Sequence, residues 1–499
     1  MATKSGAPAP FVPAAVRAPV EVRNRIGDAL APAADRATFE RRNPADDRVV
    51  VSVAPESTAA DVTAAVDAAA AAAPGWAATS PSARAEVLDR AGAALAARAG
   101  AIAAELTAEE GKPLADARTE AGRTPRNLVL YAGEALRLTG TTFPADEAGA
   151  VVYSRRDPLG VVAVITPWNF PLNLAARKIG PALAAGNTVV FKPSPMTPLM
   201  GERLAAAFAE AGLPPGVLNV VHGTAAGAHL VADERVAGVT FTGSTATGER
   251  IHTAVGLGRR AQLELGGNNP VVVLADADLD RAARVVAASA FGLSGQACTG
   301  AGRILVAEQV HDALVDRVVA LAGRHVLGPG DRQGVTLGPL VDRRSLDAVH
   351  AAVADSVAAG AEAVCGGTRV DAVALAHGWF YPPTLLTGVK PDMRIAAEEV
   401  FGPAVGVEPV TDLDDALARA NATPYGLTAA ICTRDLAAAQ RFAAEVQAGM
   451  VRINRPTVGA AFNAPFGGIK RSGTGVFKEQ LGPGVMEFYT VARTVFLAS

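Results

Sequence analysis

The alternation between residues 158 and 265 constrains this chain most. Five short runs, VVAVI (161–165), TVVFK (188–192), LNVVH (218–222), VTFT (239–242) and AQLEL (261–265), are β-branched or apolar. Stretches of helical length separate them: Leu172 to Ala185, about Pro198 to Ala211, 225–232, and about Ser244 to Val255. Such spacing predicts a parallel sheet closed by right-handed crossovers. Ligands then bind at the carboxyl ends of the strands. A second α/β set follows. It comprises PVVVL (270–274), a helix from about Leu279, RILVA (303–307), a helix from about Val310 to Arg324 and another over 345–359. FYPPTLL, GVEPV, TDLDDALARAN and LTAAICT continue it. The expected class is α/β.

The ends read differently. Residues 58–122 are helical in character. TAADVTAAVDAAAAAAPGWA takes Thr58 as its cap and is expected to stop near Pro74 and Gly75. The run from Ser82 predicts two amphipathic helices ending at Gly111. The first twenty residues, rich in Ala and Pro, read as a loose arm rather than a signal peptide. The tail MEFYTVARTVFLA (486–498) alternates like a strand. A terminal strand needs a pairing partner, and a neighbouring subunit is the expected one.

Composition narrows the function. Lys+Arg 46 against Asp+Glu 49 leaves a net charge of -3, which gives no case for nucleic acid or an anionic membrane. No apolar run approaches the roughly 20 residues that span a bilayer. Cys298, Cys365 and Cys432 are scattered and odd in number, with no CxxC pair. A disulfide framework is not expected, and a cytoplasmic location is. The seven histidines show no ligand spacing, so no metal is expected.

Five motifs can carry chemistry, and each has a plain alternative. Cys298, in FGLSGQACTGAGR, has small polar neighbours; nearby N–H groups can lower its thiol pKa for nucleophilic attack. A small buried side chain is equally compatible. Asn169, in TPWNFP, can donate into an oxyanion hole or cap a helix. Glu264, in LELGGNNP, can serve as a general base or sit exposed at a strand end. FTGSTATG (241–248) is a phosphate-binding βα turn or an ordinary one capped by Ser244. EEVFGP (398–403) reads alone as a loop.

The order of TPWNFP, FKPSP, FTGSTATG, LELGGNNP, GQACTGAGR, EEVFGP and APFGG resembles the aldehyde dehydrogenase superfamily, from about Asn43 to the C-terminus. The resemblance implies a Rossmann-type cofactor domain (21–134 and 159–263), an α/β catalytic domain (264–466) and a small β oligomerisation arm (135–158 and 480–499). The residues before 21 form the arm already described. It also implies a homodimer or homotetramer that uses NAD or NADP. By the same resemblance Cys298 is the nucleophile. Asn169 and the Cys298 N–H form the oxyanion hole, and Glu264 activates water. Thr166, Pro167, Trp168, Lys192, Ser194, Pro195, Gly243, Ser244, Glu399 and Phe401 fall at cofactor-binding positions. Glu264 favours hydrolysis over transfer to coenzyme A.

Three departures matter. Pro195 stands where many NAD-preferring members carry glutamate, which opens the site to NADP. SGTGVFKE replaces the usual SGxGRE, so Glu479 receives no proton-relay role. Asn268 replaces a lysine and reads as a surface-type change. Arg177, eight residues beyond Asn169, can face the same cleft from a helix. The succinic semialdehyde branch has arginine in a similar context, and the C-terminal stretch resembles the 2-oxoglutarate semialdehyde branch. The expected substrate is therefore a semialdehyde with a distal carboxylate, met by Arg177, with Phe170, Arg455 and Phe462 lining its tunnel. Gly292 leaves room in that tunnel. The alternatives are a neutral aldehyde, an acylating dehydrogenase, and a catalytically silent member of the fold.

Overall fold

The computed structural model describes residues 18–479 and 484–498. Most of the expected N-terminal arm and part of the tail fall outside these residues.

The five expected strands form the parallel centre of a seven-stranded sheet. Its order is Arg260–Glu264, Val236–Thr242, Val161–Ile165, Thr188–Lys192, Leu218–Val220, then Asn24–Ile26 and Ala29–Ala31. The last two are antiparallel and were not anticipated. Three-residue strands are too short to carry a periodic signal. Tertiary bonds hold them: Asn24 Oδ1 accepts from the Ser57 hydroxyl and from the His222 N–H.

From Val161–Ile165 the chain builds outward in one direction, then returns to lay Val236–Thr242 on the other side. That reversal leaves a crevice at the carboxyl ends. Register aligns its rim: Ile165 pairs with Lys192 and Phe241, and Thr242 pairs with Glu264.

Four long helices pack beside this sheet: α1 (Ala59–Ala78), α2 (Pro81–Ala97), α3 (Ala99–Glu110) and α4 (Leu114–Arg137). α1 does not stop at Pro74. Trp76 is buried and its indole N–H bonds to the Leu183 carbonyl at 3.1 Å. That burial offsets the proline's lost hydrogen bond. α4 likewise runs well past residue 122. α5 (Pro171–Ala184), the first crossover, is buried along its whole length, Arg177 and Lys178 included. The remaining crossovers are α6 (Pro198–Glu210), α7 (Ala226–Ala232) and α8 (Thr245–Val255).

The second seven-stranded sheet runs Glu362–Cys365, Thr384–Thr387, Ala404–Val410, Ala301–Ala307, Asn269–Val273, Thr428–Cys432, Met450–Ile453. All neighbours are parallel except the first pair. Arg260–Glu264 leads directly into Asn269–Val273, so the intervening glycines join the two sheets. The rim of the first sheet faces the amino ends of the second.

The tail forms a strand only over Thr490–Leu497; Val485–Phe488 is a helical turn. Phe488 and Tyr489 are both fully buried, which an alternating strand forbids. The strand pairs antiparallel with Val151–Pro158 of the same chain, which also carries Thr142–Phe143. On that side the expected subunit partner is replaced by the chain itself.

Candidate active site

Cys298 lies between the turn Gly292–Gly295 and the strand Ala301–Ala307. Leu293 and Ser294 both adopt φ 55, and Gly295 φ 69. A Cβ on Gly295 would sit 1.9 Å from the Gly402 carbonyl oxygen, so only glycine fits. The left-handed residues cost about 1–2 kcal/mol each. The Ser294 hydroxyl, donating to the Gly338 carbonyl at 2.8 Å, anchors the turn. The Cys298 carbonyl accepts from Asn269 Nδ2 at 2.8 Å. Two cavities meet at this thiol, one of about 290 Å³ and one of about 240 Å³.

The thiol's environment corrects the expectation of a lowered pKa. Burial pushes it up to about 12, reinforced by the carboxylates of Glu399, Glu264 and Glu479; Arg177 opposes them.

Asn169 follows the strand Val161–Ile165 and is buried. Its Nδ2 donates to the Gln296 carbonyl at 2.9 Å, which ties it to the cysteine loop. The amide's second N–H remains available. Lys112, fully enclosed, donates to the Asn169 carbonyl at 2.6 Å and to Glu120 at 2.7 Å. Glu120 also accepts the Leu172 and Asn173 N–H groups, fixing the start of α5.

Glu264 is buried, not exposed at a strand end. Burial and the neighbouring Glu479 hold its carboxyl well above the usual range, while Lys178 and Lys478 pull it down. Lys178 Nζ stands 2.6 Å from Glu479, and both side chains are fully enclosed. The sequence reading missed this pair. Its signal was a lysine beside Arg177 in the largely apolar run ARKIGPAL and a glutamate displaced from its expected motif. Asn268 also needs correction: it is 2% exposed and donates to the Ala396 carbonyl at 2.6 Å.

Pro167, Trp168, Gly243, Ser244, Glu399 and Phe401 line the smaller cavity. Trp168 and Phe401 meet edge to face, 5.5 Å between centroids. Phe401 itself has φ 54. A Cβ on Gly266 would lie 2.1 Å from Glu399 Oε2, so the glycine gives the carboxylate its place. Enclosure raises Glu399 to about 7, and the Gly267 N–H donates to it at 3.1 Å. Thr166, Lys192, Ser194 and Pro195 lie at the neighbouring strand ends, outside this cavity. Burial lowers Lys192 to about 8, with Glu56 opposing. The residues fit a nicotinamide cofactor: a cradle beside Cys298, backbone glycines at close approach, and a cation one strand away.

Arg177, Phe170, Gly292 and Phe466 line the larger cavity with Cys298. Arg177 is 4% exposed. Its guanidinium faces the Phe466 ring at 5.6 Å, and no carboxylate among the described residues reaches ion-pair distance of it. A Cβ at Gly292 would meet nothing within 4 Å. Two of the expected substrate residues are not among those that line this cavity. Arg455 is exposed and outside the lining. Phe462 is also outside it and stacks on Arg123 and Arg126, 4.4 Å from each.

Residues 31–495 match the model of the aldehyde dehydrogenase family. The chain belongs to that family. It is 42% identical over 462 residues to the alpha-ketoglutarate semialdehyde dehydrogenase of Haloferax volcanii, covering 92% of this chain and 95% of that one. An NAD-dependent aldehyde dehydrogenase from Sinorhizobium meliloti superposes with a TM-score of 0.92 at 34% identity, over 96% and 95% of the two chains. An NADP-dependent enzyme of E. coli does so at 0.92 and 34%, over 96% and 98%. The activity is the NAD(P)-dependent oxidation of an aldehyde to an acid. Among the described residues no helix is long and apolar enough to cross a membrane.

Proposed function

We propose that the protein oxidises a four- or five-carbon semialdehyde bearing a distal carboxylate. One observation carries this reading: Arg177 is buried in the cavity that holds Cys298, and among the described residues it makes no ion pair within 4 Å. A partly desolvated guanidinium binds a carboxylate through two parallel hydrogen bonds. The relative from Haloferax volcanii, named for such a substrate, supports the same class.

Cys298 Sγ attacks the aldehyde carbon, and the thiol proton passes to solvent in the cavity. The oxyanion is received by the free Asn169 amide N–H and the Cys298 N–H. A nicotinamide held beside Cys298 by Trp168, Glu399 and Phe401 would supply the hydride acceptor that turns the Sγ-bound carbon into a thioester. Glu264 takes a proton from water, which attacks the thioester and restores the thiol. The intact Glu264 assigns release to hydrolysis rather than to coenzyme A. Lys192, Ser194 and Thr166 are assigned to the adenosine side, and Pro195 leaves a 2′-phosphate unopposed there. The cofactor is assigned to residues 21–134 and 159–263, and the catalytic domain to 264–466.

The strand Thr490–Leu497 pairs on one side only among the described residues, and its Phe496 is 76% exposed. We assign this arm, 135–158 with 480–499, to a homodimer or homotetramer contact. Three free thiols suit a reducing compartment, and we place the protein in the cytoplasm.

Steady-state kinetics test the substrate. Arg177→Leu should raise KM for succinic semialdehyde about tenfold or more and leave propanal little changed. A wild-type preference for neutral or cationic aldehydes would reject the assignment.

A further inference from the structure

The larger cavity holds a second guanidinium that the reaction above does not use. On α4, Asp116, Thr119, Glu120 and Arg123 stand at i, i+3, i+4 and i+7, and all four line the cavity. Glu120 is committed to Lys112 and to the start of α5. Burial raises the Asp116 carboxyl, with Lys112 opposing, and Asp116 makes no ion pair within 4 Å among the described residues. Neither carboxylate neutralises Arg123. Its Nε is enclosed with no hydrogen-bond partner. Burial, then the like charges of Arg177 and Arg126, disfavour its protonated form. A cation held there without a counter-ion is a site for an anion.

Arg123 is also held in place. One terminal nitrogen donates to the Ala460 carbonyl, and the guanidinium lies 4.4 Å from the Phe462 centroid. Both partners belong to the segment 459–463, which alternates between partly and fully exposed residues and so forms the rim. Arg177 is deep and Arg123 is half-buried at the mouth. The two cations thus mark two depths of one tunnel that starts at Cys298. Gly292, on the cysteine loop, leaves the passage open.

We propose that Arg123 is a second carboxylate-binding residue of the tunnel, and that it selects five-carbon anionic semialdehydes over four-carbon ones. The proposal rests on the reading that Arg177 meets a substrate carboxylate. On that reading, a four-carbon chain anchored on Cys298 presents its carboxylate to Arg177. One more carbon carries the carboxylate outward, where both guanidinia share it.

The experiment compares 5-oxopentanoate, succinic semialdehyde and propanal on the wild type, Arg123→Met, Arg123→Lys and Arg177→Leu. Arg123→Met should raise KM for 5-oxopentanoate about tenfold or more, succinic semialdehyde less than about threefold, and leave propanal kcat/KM unchanged. Arg123→Lys should recover part of the loss, because it keeps the charge but not the fork. If Arg123→Met folds poorly, Arg123→Lys must still show the same chain-length bias. Equal effects on both semialdehydes, or a matching loss with propanal, would reduce Arg123 to a rim support and overturn the proposal. If Arg177→Leu raises both acidic KM values while Arg123→Met raises neither, only the Arg123 proposal falls. If neither variant changes them, the anionic-substrate reading falls too.

Discussion

At the scale of single residues, charge and burial decide what each group can do. Glu264 is the clearest case. Enclosure and Glu479 favour its neutral form, whereas a water-activating base must be ionised. Hydrolysis of the thioester should therefore speed up as pH rises through the raised pKa of this carboxyl. Lys178 works in the opposite sense, since its charge favours the carboxylate. Lys178→Met should move the acid limb of the kcat profile to higher pH. A limb that stays in place would mean that Lys178 is only structural. Glu264→Gln should still give a burst of reduced cofactor near one per site, followed by slow turnover, because hydride transfer precedes the need for a base. Stopped-flow absorbance separates the two phases, and loss of the burst would place Glu264 in the first half-reaction. Cys298, Asn169 and Glu264 were all visible in their motifs. Their burial and the Lys178–Glu479 pair were not, since enclosure depends on chain segments remote in sequence.

At the scale of elements, two buried glutamates tie the helical layer to the sheet. Glu120 on α4 receives the first N–H groups of α5, and Glu109 on α3 does the same for α6, accepting from Leu199 at 2.7 Å and Met200 at 3.1 Å. A helix start leaves such donors unpaired, and a buried carboxylate satisfies them. Glu109 also stands beside Arg41, although burial raises its own pKa to about 8. Glu109→Ala should destabilise the protein by about 2–4 kcal/mol, through two unpaired buried N–H groups and the loss of one of the carboxylates that face Arg41. Glu109→Gln should cost less, because an amide oxygen still accepts. Urea denaturation monitored by circular dichroism measures both, and equal losses would show that the charge outweighs the bonds. The strands and crossovers from 161 to 265 were legible because repeated β-branched runs leave little choice of class. The end of α1 was misread because a local breaker, Pro74, was weighed without the burial of Trp76.

At the scale of the whole molecule, a glycine-rich junction joins two seven-stranded sheets, and a separate three-stranded sheet holds the C-terminal strand. The site exists only where the carboxyl rim of one sheet meets the amino ends of the other. Assembly belongs to this scale. The exposed Phe496, with Val491 at 43%, lies on the terminal strand. Phe496→Asp should weaken self-association without altering the isolated active site, because a charge on an apolar edge resists pairing. Light scattering after size exclusion should show a shift toward smaller species. An unchanged mass would take the terminal strand out of the assembly contact.

The sequence by itself determined the α/β class, the succession of the central strands along the chain, the motif residues and the cysteine that the two cavities share. These are local properties: periodicity, turn chemistry and short ordered motifs survive without knowledge of the fold. Only the tertiary structure decided the rest. It raised the Cys298 thiol instead of lowering it, buried Asn268, paired Lys178 with Glu479, and folded the tail back on its own chain. It also left Arg177 and Arg123 in one tunnel while keeping Arg455 out of it. Each of these turns on which distant segment encloses a group, because enclosure sets the cost of its charge and the partners within its reach.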